Sequence, residues 1–230
     1  IAAPLFMFAL ITGAGHTRSK AKFLLRLYTA NLLIFAAWVL LYTVFEGRFA
    51  SMPSILPTYL YVLIYAFGIE KTVSELKKRK PAALLYIAAL ILITVLPVFV
   101  FDRAYGFFSD MITGDAKERI LWLSVLRELI RSVVPDIRSV DYSAYFVLMG
   151  VIWYFAKNKF ACAGILALFS AFSFLGTYGG GITDYLSFSG RYYPIDFFAP
   201  GQFFMVLAAF FILLYNGERG KGIKGFFYVY

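Results

Sequence analysis

The sequence predicts an all-α fold, a polytopic transmembrane helical bundle of seven spans plus the start of an eighth, forming one domain over residues 1–230. Three observations predict it. The chain is 61% hydrophobic, 20% aromatic and only 15% charged, whereas a soluble domain carries about 25% charged residues. A water-soluble fold of this size cannot hide that much apolar surface, but a bilayer-spanning helix can turn it to lipid while satisfying its own backbone. Second, the apolar residues fall into runs approaching the ~20 residues a transmembrane helix needs. Third, the loops between those runs alternate in charge.

Taken in order, residues 1–15 form an apolar run that begins without a Met, so the chain reads as truncated there. Runs 23–45, 55–69 and 82–101 follow, then 142–156, 160–178 and 202–215, and a stub from residue 225 reads as a span cut short. The loops that hold Arg18, Lys20, Lys22 and Arg26, then Lys71 and 77–80, then Lys157 and Lys159, then Arg219, Lys221 and Lys224 are basic. They carry 14 of the 22 Lys and Arg against only Glu70, Glu75 and Glu218, a balance of +11. The remaining segments hold 8 basic and 10 acidic residues, a balance of −2. Lys and Arg accumulate in cytoplasmic loops, so the basic set is expected inside, with one helix missing before residue 1 and a cytoplasmic start.

The longest connection, 102–141, is then external. Within it, residues 118–134 have a helical period that sets Trp122, Leu126, Leu129, Ile130 and Val133 against Ser124, Arg127, Glu128 and Arg131. A helix lying in the membrane interface suits this pattern. Its rival is a spanning helix whose charged stripe faces the bundle, but a full extra span would invert every later loop. A second external loop, 179–201, joins Gly179-Gly180-Gly181 to Asp184, Arg191 and Asp196, and reads equally as a cover over a site or a plain hairpin.

The net charge of +9 does not point to nucleic acid, because the cations sit in short runs between apolar segments instead of on one polar face. One histidine and one cysteine, Cys162, cannot build a zinc site, and no acidic cluster shares a segment, so no metal is expected. The tail from Gly217 lacks the Lys that a phosphate loop needs six positions later, where Ile223 stands.

The candidate chemistry lies near the first turn. His16 carries an imidazole, a side-chain type that suits a general base, against the plain alternative of a solvated loop histidine. Lys22 and Arg26 are one helical turn apart, a spacing that suits a phosphate and equally suits snorkelling to lipid headgroups.

Two stretches resemble the TraX family of bacterial inner-membrane proteins, which acetylate the N-terminus of conjugative pilin. Ala3-Pro4-Leu5-Phe6-Met7-Phe8, His16-Thr17-Arg18 and Leu24-Leu25-Arg26-Leu27 look like its apolar first helix, basic turn and second-helix start. Gln202-Phe203-Phe204, Leu213-Leu214-Tyr215-Asn216-Gly217 and Arg219-Gly220-Lys221 look like a later helix and its basic exit. Thr12 stands where the family usually carries an acid, and 34–44 is apolar where it carries a polar turn.

The resemblance implies a membrane acyltransferase, similar to those that O-acetylate envelope sugars. It would use cytosolic acetyl-CoA as co-substrate, with Arg18, Lys22 and Arg26 holding the coenzyme phosphates and His16 as candidate base. The acceptor would be an amine or hydroxyl, on a pilin-like protein or a cell-envelope glycan, in the bacterial inner membrane among membrane lipids. The alternatives are a transporter or permease, or a non-catalytic component of a conjugation or secretion apparatus.

Overall fold

The computed structural model describes residues 2–45, 55–112, 116–137, 143–178 and 205–215. Loop 179–201, the stub from residue 225 and the basic tail with Arg219, Lys221 and Lys224 lie outside the described residues. Every regular element among those described is an α-helix: α1 Ala2–His16, α2 Lys20–Val44, α3 Leu56–Lys77, α4 Ala82–Met111, α5 Ala116–Val133, α6 Ser143–Ala156, α7 Lys159–Tyr178 and α8 Leu207–Leu214.

Two of these helices are long and apolar enough to cross a membrane: α2, 25 residues with mean hydropathy 1.8 in its most apolar stretch, and α4, 30 residues with 2.8. The remaining helices do not establish the expected seven full spans among the described residues. Apolar helix in α1 and α6 is shorter, and α3 reaches its 22 residues only by including Glu70, Lys71, Glu75 and Lys77.

Short turns with defined chemistry set the helix ends. Ser19 caps α2, its Oγ accepting from the Lys22 backbone N–H at 3.4 Å, which satisfies one donor that the first helical turn leaves open. Past the ends of α3 and α6, Arg79 and Lys157 take positive φ of 53° and 51°, the left-handed geometry that stops a helix and returns its last carbonyls to the chain. The Arg79 N–H accordingly donates to Leu76 O at 2.9 Å and the Lys80 N–H to Glu75 O at 3.1 Å.

The core lies where α1, α3, α6, α7 and α8 meet, filled by Met7, Tyr61, Leu63, Phe146, Met149, Trp153, Leu166 and Ile212. Around it α2 and α4 pack on α3, and α5 packs on α2 and α4. Large apolar side chains of α2 and α4 remain outward, among them Leu33 at 71% and Leu92 at 57% exposed. Water would penalise that surface at roughly 25 cal/mol per Å²; lipid does not.

Helix α5 forms where its periodicity places it and docks along the bundle. Trp122, Leu129 and Val133 point outward while Val125, Glu128 and Ser132 are buried. Val125 and Leu121 pack with Trp38 and Tyr42, and Asn31 Nδ2 donates to Ser132 O at 3.1 Å, so α5 runs antiparallel to α2.

Candidate functional site at the basic end of the bundle

Only three residues separate α1 from α2, so His16 and Lys20 are held in one turn. Lys20 begins the stripe of α2 that continues through Leu24, Leu27, Asn31, Trp38 and Tyr42, the side of the helix turned into the protein. That register delivers its ammonium to α3: Lys20 Nζ lies 2.6 Å from Glu70 Oε2 and 5.0 Å from the centre of the Phe67 ring. From α6, Tyr154 Oη donates to the same carboxylate oxygen at 2.5 Å. One oxygen thus gathers an ammonium and a phenol from two other helices.

The Lys20 hydrogen bond first, and that of Tyr154 second, hold Glu70 below the usual carboxylate range, outweighing partial burial that acts the other way. Lys157 adds a smaller push in the same direction. Glu70 is therefore ionised at neutral pH, an anchor for cations and a poor proton acceptor. Glu75 repeats the theme further along α3, paired with Lys78 at 3.2 Å and Lys71 at 3.9 Å and lowered chiefly by the Lys78 hydrogen bond. Lys159 closes the same end from α7, donating to Leu213 O and Tyr215 O at 2.9 Å each. It places a cation on the negative end of the α8 dipole.

An open cleft of about 480 Å³ lies beside this network, lined by Ile69, Glu70, Val73, Ser74, Lys77 and Phe155. Its volume falls in the roughly 300–1,000 Å³ range of small-molecule sites. One wall is apolar, and Lys77 and Ser74 supply polar contacts.

The four residues singled out from sequence divide. His16 ends α1 and Arg18 stands in the turn; both are exposed, beside Lys20. Lys22 and Arg26 are exposed and share a face, as their spacing predicts. At 3.6 residues per turn that face lies about 200–240° around α2 from Lys20, so it turns away from α3 and the cleft. Among the described residues none of the four forms an ion pair, whereas Lys20 is committed to Glu70. Sequence reasoning passed over Lys20, Glu70, Tyr154 and Lys77. The available signal was Glu70 itself, the first of two acids, with Glu75, in a strongly basic connection.

No protein-family model, curated protein or solved structure matches this chain, so its functional reading rests on its own residues.

Proposed function

We propose that this chain is a multi-pass protein of the bacterial cytoplasmic membrane that transfers an acetyl group from acetyl-CoA to an amine or hydroxyl acceptor, on a pilin-like protein or an envelope glycan. The observation that carries the reading is the cleft at the basic end, where Lys77 and Ser74 stand beside an apolar wall of Ile69, Val73 and Phe155, and where Glu70 on its lining holds Lys20, two positions after the exposed Arg18. A coenzyme with a phosphorylated head and a thin acyl-carrying arm suits that combination. Its phosphates would take Arg18 and Lys77, with Arg forming the bidentate contact, and the arm would run along Ile69, Val73 and Phe155. His16, exposed at the mouth of the first turn, is the candidate base. Lys22 and Arg26, facing outward, suit the phosphates of lipid headgroups or a coenzyme approaching from the membrane side. The resemblance of the first turn to TraX proteins supports the same chemistry.

Acetyl-CoA titrated into the full-length protein in detergent tests this by calorimetry. Saturable binding is expected, weakened roughly ten- to a hundredfold by Arg18→Ala or Lys77→Met, since a charge-assisted hydrogen bond contributes about 1.5–3 kcal/mol. Absence of binding rejects the acyltransferase; binding indifferent to both substitutions rejects this site. Burial of Glu128 between Arg127 and Arg131 favours a second reading, a transporter with a polar path through α5, and a protein that moves solute without binding acetyl-CoA would establish it.

A further inference from the structure

Helix α6 is only 14 residues long, about 21 Å at 1.5 Å per residue, well short of a ~30 Å hydrocarbon core. Its inner end is fixed, because Tyr154 meets Glu70 at the level of Lys20. Its outer end, at Ser143, therefore stands about 16 Å above that level. Helix α2 supplies a ruler through the same depth. Asn31 lies eleven residues beyond Lys20, again about 16 Å, and it is Asn31 that contacts the last turn of α5. So α5 stops at the height where α6 starts.

The way α5 stops is also informative. The last carbonyls of any helix have no partner within it, and at membrane depth water cannot serve them. Here two side chains of α2 do so, Asn31 Nδ2 to Ser132 O at 3.1 Å and Tyr28 Oη to Val133 O at 2.7 Å, and from α3 Tyr61 Oη serves the carbonyl of Pro135 just beyond the helix at 2.7 Å. Pro135 has no N–H to satisfy.

The side chains of α5 are sorted accordingly. Trp122 is 50% exposed, Leu129 41% and Val133 46%, while Glu128 is 7% exposed, held by Arg127 Nε at 3.2 Å and Arg131 Nη1 at 3.3 Å. A helix lying on the interface keeps its charges toward water; this one turns a carboxylate inward and, while burying Ile130, keeps Trp122, Leu129 and Val133 outward on a helix packed against α2 and α4, whose own large apolar side chains are exposed.

We propose that α5 and α6 are two halves of one discontinuous membrane crossing, interrupted within the bilayer just past Val133, with lipid acyl chains covering the outward stripe Trp122, Leu129 and Val133. The inference rests on the membrane reading of the chain and not on the acyltransferase chemistry. One broken crossing preserves the alternation of loop charge, which a complete extra span would have inverted. It also explains why residues 142–156 are too few to span alone. Interrupted helices in membranes persist where protein buries the free backbone, and the three donors here do so.

Spin labels on single-cysteine variants in a Cys162→Ala background, in phosphatidylcholine and phosphatidylglycerol vesicles, measure depth from oxygen and nickel-chelate accessibility. Sites 122, 129 and 133, then 148 and 152, are outward on α5 and α6; sites 33 and 92 are controls on α2 and α4. Depth is expected to increase from 122 through 129 to 133, then to approach the opposite surface from 148 to 152. Equal, shallow depth at 122, 129 and 133 overturns the broken crossing in favour of an interfacial helix; a label at 133 reporting the cytoplasmic surface overturns it in favour of a complete span. Lipid contact at 33 and 92 without any at 122 and 129 shows that protein covers the stripe, and no lipid contact at the controls removes the membrane reading itself. Brominated-lipid quenching of the unlabelled protein is an independent check. Trp38 and Trp153 are buried, so quenching should be largely lost in Trp122→Phe; quenching unchanged by that substitution counts against the proposal.

Discussion

Lys20 and Lys22 stand two positions apart in one helical turn and have opposite fates. Lys20 falls on the inward stripe of α2 and finds Glu70 fifty residues away; Lys22 faces out. Local spacing showed that Lys22 and Arg26 share a face, but the sequence of α2 is apolar nearly all round, so no amphipathic pattern marks which face is inward. That is why Lys20, Glu70 and Tyr154 were not legible as a network while the basic turn was. The network has a pH signature. A carboxylate held low in the folded state stabilises it above the ordinary range near 4.3, and that contribution disappears as pH falls through the depressed value. Thermal unfolding of Glu70→Gln should show a flatter acid limb than wild type. The loss at neutral pH should be about 0.2–1 kcal/mol, because the Glu70 side chain is 45% exposed and an exposed pair is screened. A neighbouring position tests packing. A Cβ on Gly150 would lie 2.7 Å from Val62 Cγ2 and 2.9 Å from Met7 Sδ. Met7 can bend aside, but the β-branched Val62 is stiff. Gly150→Ala is therefore expected to destabilise by about 1–3 kcal/mol, despite the gain of up to ~1 kcal/mol that Ala brings to a helix interior; an unchanged unfolding midpoint would contradict this packing.

At the scale of elements, the apolar runs located the helices but not their lengths. Run 82–101 became Ala82–Met111 and run 55–69 became Leu56–Lys77. A run ends at the first charge, here Asp102 and Glu70, because hydropathy marks where lipid or core begins and ends. Backbone hydrogen bonding has no such limit and continues until a cap or a positive φ stops it, as at Arg79. For α5 the period was readable, but the two faces were not cleanly divided: Ile130 of the apolar face is buried with Glu128 of the charged stripe, while Trp122, Leu129 and Val133 turn outward, because burial depends on Tyr28, Asn31 and Tyr61, up to 105 positions away in sequence. These donors make the end of α5 testable. Asn31→Ala leaves the buried Ser132 carbonyl without that donor, a loss expected near 1–3 kcal/mol, concentrated as faster amide hydrogen exchange in the last turn of α5. Tyr28→Phe, which removes one donor from the Val133 carbonyl but keeps a ring of the same shape, should have a smaller effect than the truncation at Asn31. Equal exchange in wild type and Asn31→Ala would show that the end of α5 is held by other contacts.

At the scale of the whole molecule, alternation of loop charge anticipated a feature that no single segment carries. The starts of α2 and α7 and the ends of α1, α3 and α6 meet at one end, joined by Lys20–Glu70, Tyr154–Glu70 and the reach of Lys159 to the end of α8. Helices laid antiparallel by short turns bring alternate loops to one side whatever their charge; on the membrane reading proposed above, the balance of +11 against −2 is what would retain that side in the cytoplasm. What the charges do not determine is which helices are neighbours, and so the packing of α5 on α2 had to come from three dimensions. Reporter fusions test the combination. A periplasm-dependent reporter is expected to be active when joined after residue 112 and inactive after residue 79 or 158, with a cytoplasm-dependent reporter giving the reverse. Agreement between 79 and 158 is the demanding part, because the two turns are separated by α4, α5 and α6. If α5 were a complete crossing of its own, 79 and 158 would report opposite sides. If α5 and α6 share one crossing, they report the same side, and neutralising Lys77, Lys78, Arg79 and Lys80 together should weaken that preference at 79 more than any single substitution does.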